Sequence, residues 1–238
     1  MIDQTFLKEN LLAYGLPCPD GLTEKLDRYA GLLVEWNEKM NLTAITDPEQ
    51  AARLHMLDSA ALLRCADFQG EKTLIDVGTG AGLPGLPLKI LVPSLQVTLL
   101  DSLGKRVDWL NQVCAQLGLE GIQAIHARAE EQALVKGYRD SFDFVTARAV
   151  AQLRLLGELC LPYVKVGGQF LAMKTTESAS EVEEAAHCIK LLGGRAGEPV
   201  DYTIPGTQVT HRVLPIRKLA PTLKGYPRRW ARIQKQPL

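Results

Sequence analysis

From Gly70 onward, short apolar runs alternate with longer segments of helical periodicity. A strand needs only about five residues, whereas the helix that connects two parallel strands needs ten or more, so this alternation is typical of a mainly parallel sheet. The predicted strands are Thr73–Val77, Gln96–Leu100, Ile122–His126, Phe142–Thr146 and Gln169–Met173, and the predicted helices lie near Pro84–Leu91, Lys105–Leu117, Leu153–Leu161 and Ala179–Leu192. The pattern therefore predicts the α/β class.

Different patterns flank this alternation. Three helices are predicted before it, at Phe6–Tyr14, from Leu22 to about Asn41 and from Pro48 to about Cys65. The last of these begins with an acidic cap and a proline at the first helical position, which is a favoured helix start. After the final helix, Gly197–Thr203 and Arg212–Ile216 predict an antiparallel hairpin.

The charge is unevenly distributed along the chain. The formal net charge is zero, but Asp201 is the last acidic residue and eight Lys and Arg residues follow it. The segment after Asp201 therefore carries a formal +8 and the preceding part −8. Both a solvated terminal segment and a contact with a polyanion such as RNA fit this asymmetry.

Neither a metal site nor a membrane segment is predicted. The five cysteines are widely spaced without a Cys-x-x-Cys pair, and the four histidines form no metal-binding pattern. No apolar run approaches the roughly 18 residues that span a bilayer, and the first residues lack the features of a secretory signal. We expect reduced thiols and a cytoplasmic protein, and nothing in the sequence demands more than a monomer.

A glycine-rich segment, Asp76-Val77-Gly78-Thr79-Gly80-Ala81-Gly82, follows directly from the first predicted strand. Glycine has no side chain to keep the backbone away from a ligand, and open α/β sheets bind ligands at the carboxyl ends of their strands. The segment therefore predicts a cofactor loop. Gly80 to Gly85 also satisfies the Gly-x-Gly-x-x-Gly pattern of dinucleotide-binding enzymes, with Asp101 where such enzymes keep a ribose-binding acid.

Two features favour S-adenosylmethionine over a dinucleotide. Asp76 at the strand end is suited to the ammonium group of the methionine moiety. Pro84 and Pro87 remove N–H donors from the helix start that a pyrophosphate would need. Asp101 would then accept hydrogen bonds from the ribose hydroxyls, unless it only caps the next helix.

A third position is predicted to contact the cofactor. Ala129-Glu130 follows the third strand and would read the adenine edge, although Glu130 could equally be an acid at a helix N-terminus.

Several motifs together resemble the bacterial glucose-inhibited division protein B family, whose members methylate N7 of a guanosine in small-subunit (16S) ribosomal RNA. The motifs are Trp36-Asn37 through Asn41-Leu42-Thr43, His55-Met56-Leu57-Asp58-Ser59, Asp76 through Gly85, Leu100 through Arg106, Arg128-Ala129-Glu130-Glu131, Arg148-Ala149-Val150-Ala151 and Tyr226-Pro227-Arg228-Arg229. The resemblance implies a class I, Rossmann-like methyltransferase sheet. It also implies an N-terminal helical extension (1–70), a methyltransferase domain (71–217) and a basic tail (218–238).

The resemblance also implies roles for individual residues. The implied cofactor contacts are Gly78, Leu83, Asp101, Ser102, Leu103, Ala129, Glu130 and Arg148, and the glycine-rich segment adds Asp76 and Gly80. The implied catalytic or active-site residues are His55, Asp58, Arg148 and Lys174, and the implied RNA contacts are Arg128, Arg212, Arg228 and Arg229. Arg148 and Lys174 each follow a predicted strand, so both would lie on the cofactor edge, or be surface charges there. His55 and Asp58 share one helix face and would act directly or hold the N-terminal helices over the site.

Guanine N7 has an exposed lone pair, so its methylation needs no prior deprotonation and catalysis would consist mostly of positioning. The sequence lacks an Asn/Asp-Pro-Pro-aromatic loop for an exocyclic amine, and Cys18 precedes the catalytic core, where a nucleophile would be misplaced. A small-molecule methyltransferase, a nucleotide-dependent oxidoreductase and a non-enzymatic RNA-binding module are the alternatives.

Overall fold

The computed structural model describes residues 1–148, 151–178 and 180–238. Its strands are β1 Thr73–Val77, β2 Gln96–Asp101, β3 Ile122–His126, β4 Phe142–Arg148, β5 Val164–Thr175, β6 Gly194–Ala196, β7 Val200–Thr203 and β8 Thr210–Lys218. In the described part of the chain they form one eight-stranded sheet in the order β3-β2-β1-β4-β5-β8-β6, with β7 also paired to β8. The first five strands are parallel, and β8 runs antiparallel to its neighbours. The predicted mainly parallel sheet with a terminal hairpin is confirmed.

The strand order reverses between β1 and β4. The chain winds outward from β1 through β2 to β3, then returns to place β4 on the other side of β1. At such a switch point the loops that follow the two central strands diverge and leave a crevice, which is where open α/β sheets bind ligands. The glycine-rich segment after β1 and Arg148 at the end of β4 both lie at this crevice.

Helices connect and cover the strands. After β1 they are α5 Gly85–Leu91, α6 Gly104–Gln116, α7 Ala129–Gln132, α8 Leu153–Cys160, α9 Glu181–Glu184, α10 Ala186–Leu191 and α11 Trp230–Lys235. The single helix predicted over Ala179–Leu192 is instead two short helices, α9 and α10, and its predicted first residue lies outside the described residues. The short strand β6 was not predicted, because three residues are too few for an alternating pattern.

The N-terminal region forms α1 Gln4–Ala13, α2 Leu22–Met40 and a third, irregular helical segment. This segment begins as α3 Pro48–Ala51, continues as a π-helical stretch, Ala52–Leu57, returns to α-helix in α4 Asp58–Ala60 and ends as a 3₁₀ turn, Ala61–Arg64. Asp47 caps it as predicted, since its Oδ1 accepts a hydrogen bond from the Gln50 N–H at 2.8 Å. The π-helical stretch carries His55, and π turns within helices are frequent at functional sites.

The N-terminal helices and one face of the sheet share a single hydrophobic core. Leu26 and Leu33 of α2 are buried in the same cluster as Leu74 and Leu99 of the sheet. Tyr29 is fully buried there, and its hydroxyl donates to the Ala81 carbonyl at 2.5 Å. Helix α2 is therefore fixed directly against the glycine-rich segment.

The basic C-terminal segment packs on the opposite side of the sheet. Lys218 is completely buried, and its Nζ lies 3.0 Å from Asp140 Oδ1 and donates to the Leu161 carbonyl at 2.6 Å. The guanidinium of Arg228 forms a bidentate pair with the buried Glu158, with a shortest distance of 2.6 Å. Part of the positive charge after Asp201 is thus neutralised within the fold.

In the described residues, no helix is long and apolar enough to cross a membrane. No cluster of three or more His, Cys, Asp or Glu side chains within those same ranges could hold a metal ion.

Candidate active site

Asp76 lies beneath the glycine-rich segment and is fully buried. Its carboxylate accepts hydrogen bonds from the Thr79 hydroxyl at 2.6 Å, the Thr146 hydroxyl at 2.9 Å and the Gly85 N–H at 3.1 Å. Burial raises its pKa above the usual value for an aspartate, although these hydrogen bonds oppose the shift. The Asp76 side chain is turned into the fold and does not line the cavity above the loop, so its expected contact with the cofactor stays a prediction.

A cavity of about 400 Å³ lies above this segment, and we call it the loop cavity. It is lined by Leu42, Thr43, His55, Gly78, Thr79, Gly80, Ala81, Leu83, Asp101, Ser102, Arg106 and Arg148. Six of the predicted cofactor contacts are among these residues, and the N-terminal segment supplies three further wall residues that were not predicted as cofactor contacts.

Asp101 is buried at the wall of the loop cavity. One of its carboxylate oxygens accepts from the Gly80 N–H and the other from the Leu103 N–H, both at 2.9 Å. Gly80 has a φ of 57°, a left-handed conformation that glycine adopts without strain and that turns its N–H toward the carboxylate. Each carboxylate oxygen retains a lone pair for a ligand hydroxyl.

Besides Asp76, three of the predicted cofactor contacts do not line the loop cavity. Leu103 is half exposed outside it. Glu130 instead lines a separate cavity of about 640 Å³, together with Arg128, Arg228 and Arg229 and other residues of α7 and the C-terminal segment. Ala129 is held by its carbonyl, which accepts from the Tyr163 hydroxyl at 2.6 Å.

A second cavity, of about 530 Å³, adjoins the loop cavity at the carboxyl ends of β4 and β5, and we call it the rim cavity. It is lined by Ile45, Leu54, His55, Asp58, Arg148, Met173, Lys174, Thr175, Glu181, Val209 and His211. The structure thus brings together all four residues predicted to be catalytic. Because His55 and Arg148 line both cavities, they form the wall between them.

Asp58 is the centre of a buried polar network. Its Oδ2 accepts from Arg148 at 2.9 Å, and its Oδ1 accepts from the Tyr202 hydroxyl at 2.8 Å and lies 2.7 Å from His211 Nδ1. Burial by itself would raise the pKa of Asp58, but the hydrogen bond from His211 and the charge of Arg148 outweigh it, so the pKa is lowered. The ionised carboxylate therefore fixes the position of the Arg148 guanidinium.

His55 is buried and neutral. Its Nε2 lies 3.0 Å from the Thr43 hydroxyl, and its Nδ1 lies 3.1 Å from the Leu54 carbonyl and 3.5 Å from Arg148 Nη2. Burial, reinforced by the positive charge of Arg148, lowers the pKa of His55 from 6.5 to about 4. At neutral pH the imidazole is therefore uncharged and does not act as an imidazolium acid.

Lys174 also lines the rim cavity. Its Nζ donates to the Ala151 carbonyl at 2.6 Å and lies 2.7 Å from Glu181 Oε2. The same Glu181 oxygen accepts from the Leu153 N–H at 2.5 Å. Lys174 and Glu181 therefore form an ion pair on the cavity wall, and each of them is held by a further hydrogen bond to the backbone.

Sequence reasoning missed Tyr202, His211 and Glu181. Tyr202 and His211 face each other in the register of β7 and β8, and they contact an aspartate 144 and 153 residues away in the sequence. The predicted hairpin was a usable signal for their pairing, but no local pattern links them to Asp58.

The four predicted RNA contacts lie in two places. Arg128 and Arg229 are exposed beside the C-terminal segment, and Arg228 contributes to the same cavity while paired with Glu158. Arg212 lies apart on β8, where it forms two hydrogen bonds with Asp201, the shorter at 2.6 Å.

Comparison with solved structures identifies the class of this fold. The crystal structure of a SAM dependent methyltransferase from Aquifex aeolicus superimposes with a TM-score of 0.51, over 71% of this chain and 93% of that chain, at 18% sequence identity. The fold is thus that of the Rossmann-like methyltransferases.

Sequence comparison narrows the class to a family. The family model GidB, described as rRNA small subunit methyltransferase G, matches residues 22–200. The Ribosomal RNA small subunit methyltransferase G of Alkaliphilus metalliredigens is 42% identical over 238 residues and 100% of each chain. The protein of the same name from Staphylococcus epidermidis is 45% identical over 234 residues, covering 98% of this chain and 97% of its own. The chain belongs to the GidB family of ribosomal RNA small subunit methyltransferases, and the predicted family is confirmed.

Proposed function

We propose that this protein transfers a methyl group from S-adenosylmethionine to N7 of a guanine in 16S ribosomal RNA, acting as a monomer in the cytoplasm. One observation carries the proposal: two adjoining cavities at the carboxyl end of the sheet share a wall formed by His55 and Arg148. A methyl donor in the loop cavity and an acceptor base in the rim cavity would meet at this wall.

The residues of the loop cavity fit S-adenosylmethionine. The lone pairs that remain on the Asp101 carboxylate are suited to two ribose hydroxyls, and Gly78 and Gly80 leave the backbone accessible. Leu83 adds an apolar surface to the same wall. When bound, S-adenosylmethionine supplies an electrophilic methyl group on a sulfonium.

The residues of the rim cavity are suited to positioning. Guanine N7 needs no general base, and neither of two candidate groups of the rim cavity is free to act as one: the imidazole of His55 holds Thr43, and the carboxylate of Asp58 already has three partners. Arg148, held by Asp58, and Lys174, held by Glu181, are fixed donors for acceptor atoms of the base. Fixing the acceptor in line with the methyl group is the main catalytic contribution that this arrangement offers.

For the RNA backbone we propose contacts from the exposed Arg128 and Arg229, with the other cations of the C-terminal segment. Phosphate neutralisation by Lys and Arg supplies most of the sequence-independent affinity for nucleic acid. Arg228 is better placed to hold the C-terminal segment against Glu158, and Arg212 to pair with Asp201, than to reach toward RNA.

The test is a transfer assay with S-adenosylmethionine labelled in its methyl group, on small ribosomal subunits and on free small-subunit RNA. We expect label in N7-methylguanosine after nuclease digestion of one of these substrates. Label in another nucleoside, or transfer only to a small metabolite, would refute the proposed acceptor.

Cofactor binding is tested separately by calorimetry with S-adenosylhomocysteine. Replacing Asp101 with Ala removes the ribose acceptor and should weaken binding by about 10-fold or more, as expected for hydrogen bonds to a charged group. Asp108→Ala, on the exposed side of α6, is the matched control and should bind like the wild type. Equal affinity of the two variants would contradict the assigned role of Asp101.

A further inference from the structure

Lone-pair chemistry at N7 cannot by itself select guanine, because adenine carries the same lone pair at N7. The two purines differ at positions 6, 1 and 2, where guanine presents a carbonyl acceptor, an N–H donor and an amino donor. A donor to the carbonyl at position 6 is one way to select guanine, and a hydrogen-bond acceptor for the donors at positions 1 and 2 is the complementary one. If the proposed function holds, a side chain of the rim cavity supplies that acceptor.

The rim cavity has two carboxylates on its wall, Asp58 and Glu181. Both oxygens of Asp58 are occupied, by Arg148 on one side and by Tyr202 and His211 on the other. Glu181 differs, because only its Oε2 is engaged. Among the described residues, Glu181 Oε1 has neither a hydrogen-bond donor nor a cation as partner.

Glu181 also lies where the distal edge of a base would be. His55 and Arg148 line both cavities, whereas Glu181 and Lys174 line only the rim cavity. A purine with N7 at the shared wall turns its amino group at position 2 away from that wall. Glu181, which lines the rim cavity but not the shared wall, is therefore the carboxylate available to this group.

The environment of Glu181 fixes its orientation. Its side chain is about one-fifth exposed, and its Oε2 is held at 2.7 Å by Lys174 and at 2.5 Å by the Leu153 N–H. A carboxylate whose second oxygen is held by two donors does not need to reorganise in order to accept a hydrogen bond from a ligand.

We propose that Glu181 Oε1 accepts a hydrogen bond from the amino group at position 2 of the target guanine and so determines the specificity of the enzyme for guanine over adenine. Adenine lacks that amino group and presents an acceptor at N1, so it offers the carboxylate no hydrogen-bond donor. Lys174 acts as the positioning residue that holds Glu181.

The experiment uses the full-length protein and small-subunit RNA ligated to carry guanosine or inosine at the methylated position. Inosine keeps N7, the carbonyl and the N1–H and lacks only the amino group. Each RNA is offered both free and as reconstituted subunits, and kcat/KM is measured for the wild type, Glu181→Gln and the matched control Glu184→Gln, whose side chain is exposed on the same short helix.

We expect the wild type and Glu184→Gln to prefer guanosine over inosine by about 10-fold to 100-fold, the effect of one hydrogen bond to a charged group. Glu181→Gln should lose most of that preference, with ratios close to one, because the donors of Lys174 and Leu153 keep the amide oxygen at the Oε2 position and leave the NH2 group at that of Oε1. Damage to the fold would lower both rates together and leave the ratio unchanged.

Two results would overturn the proposal: a wild-type ratio near one, or a ratio that Glu181→Gln leaves unaltered. The first needs only the wild type and so does not depend on how the variant folds. A wild type that methylates neither RNA would instead refute the proposed function, which keeps the two failures distinguishable.

Discussion

Buried His55 should make the stability of the protein depend on pH between 7 and 5. The pKa of this imidazole is about 4 in the folded protein, against 6.5 when it is unperturbed. Between these values the unfolded chain binds a proton that the folded protein excludes, so acidification favours unfolding. A pH of 5 lies about 1.5 units below the unperturbed pKa, and each unit is worth about 1.36 kcal/mol. Protonation therefore stabilises the unfolded state by about 2 kcal/mol at this pH.

The assay is urea-induced unfolding at pH 7 and pH 5 for the wild type and His55→Gln. Glutamine has no proton to bind in this range, so the wild type should lose about 2 kcal/mol more than the variant on going from pH 7 to pH 5. A constant loss from the missing Thr43 hydrogen bond cancels in this difference. His187→Gln, in which an exposed histidine is replaced, should follow the wild type. Parallel pH dependence in the wild type and His55→Gln would show that the buried imidazole is not excluded from protonation.

Two further predictions concern stability. Asp58→Asn removes the charge from a fully buried carboxylate with three partners and should lower the free energy of unfolding by about 3 kcal/mol in urea at pH 7. Because the pKa of Asp58 is lowered in the folded protein, the stability that its ionised form contributes is complete above pH 3.8 and is lost as pH falls further. Asp201→Asn, which breaks an exposed pair, is the control and should unfold like the wild type, and an equal effect of the two would refute the reasoning. Gly85→Ala would place a Cβ 2.5 Å from Leu99 Cδ2, so overpacking should cost about 1–3 kcal/mol and weaken S-adenosylhomocysteine binding. Gly31→Ala, in α2 with nothing within 4 Å, should instead be neutral or stabilising, and thermal unfolding of both variants checks the contrast.

The fold class could be predicted from the sequence because its signals are local. The five parallel strands lie where short apolar runs occur, since a strand buried on both faces needs apolar side chains at almost every position. The predicted hairpin was found for a similar reason, as turn residues separate two strand-like runs. The boundaries of α9 and α10 were missed because short helices packed against α8 depend on tertiary contacts more than on periodicity.

The glycine-rich segment shows where local reasoning ends. The sequence by itself determined that a loop of bare backbone follows β1 and that an acid, Asp101, ends β2 beside it. It could not determine that Asp76 turns inward, because the three donors that hold its carboxylate come from the loop, α5 and β4.

Only the tertiary structure determines which residues line the rim cavity. Arg148, Asp58 and His211 come from β4, the third helical segment and β8, and they meet because a buried charge must find partners wherever packing supplies them. Sequence spacing carries no information about such partners, since Tyr202 and His211 of the hairpin lie 144 and 153 residues from Asp58. Residue types and local elements thus follow from the sequence, whereas the pairing of charges that shapes the site follows from the fold.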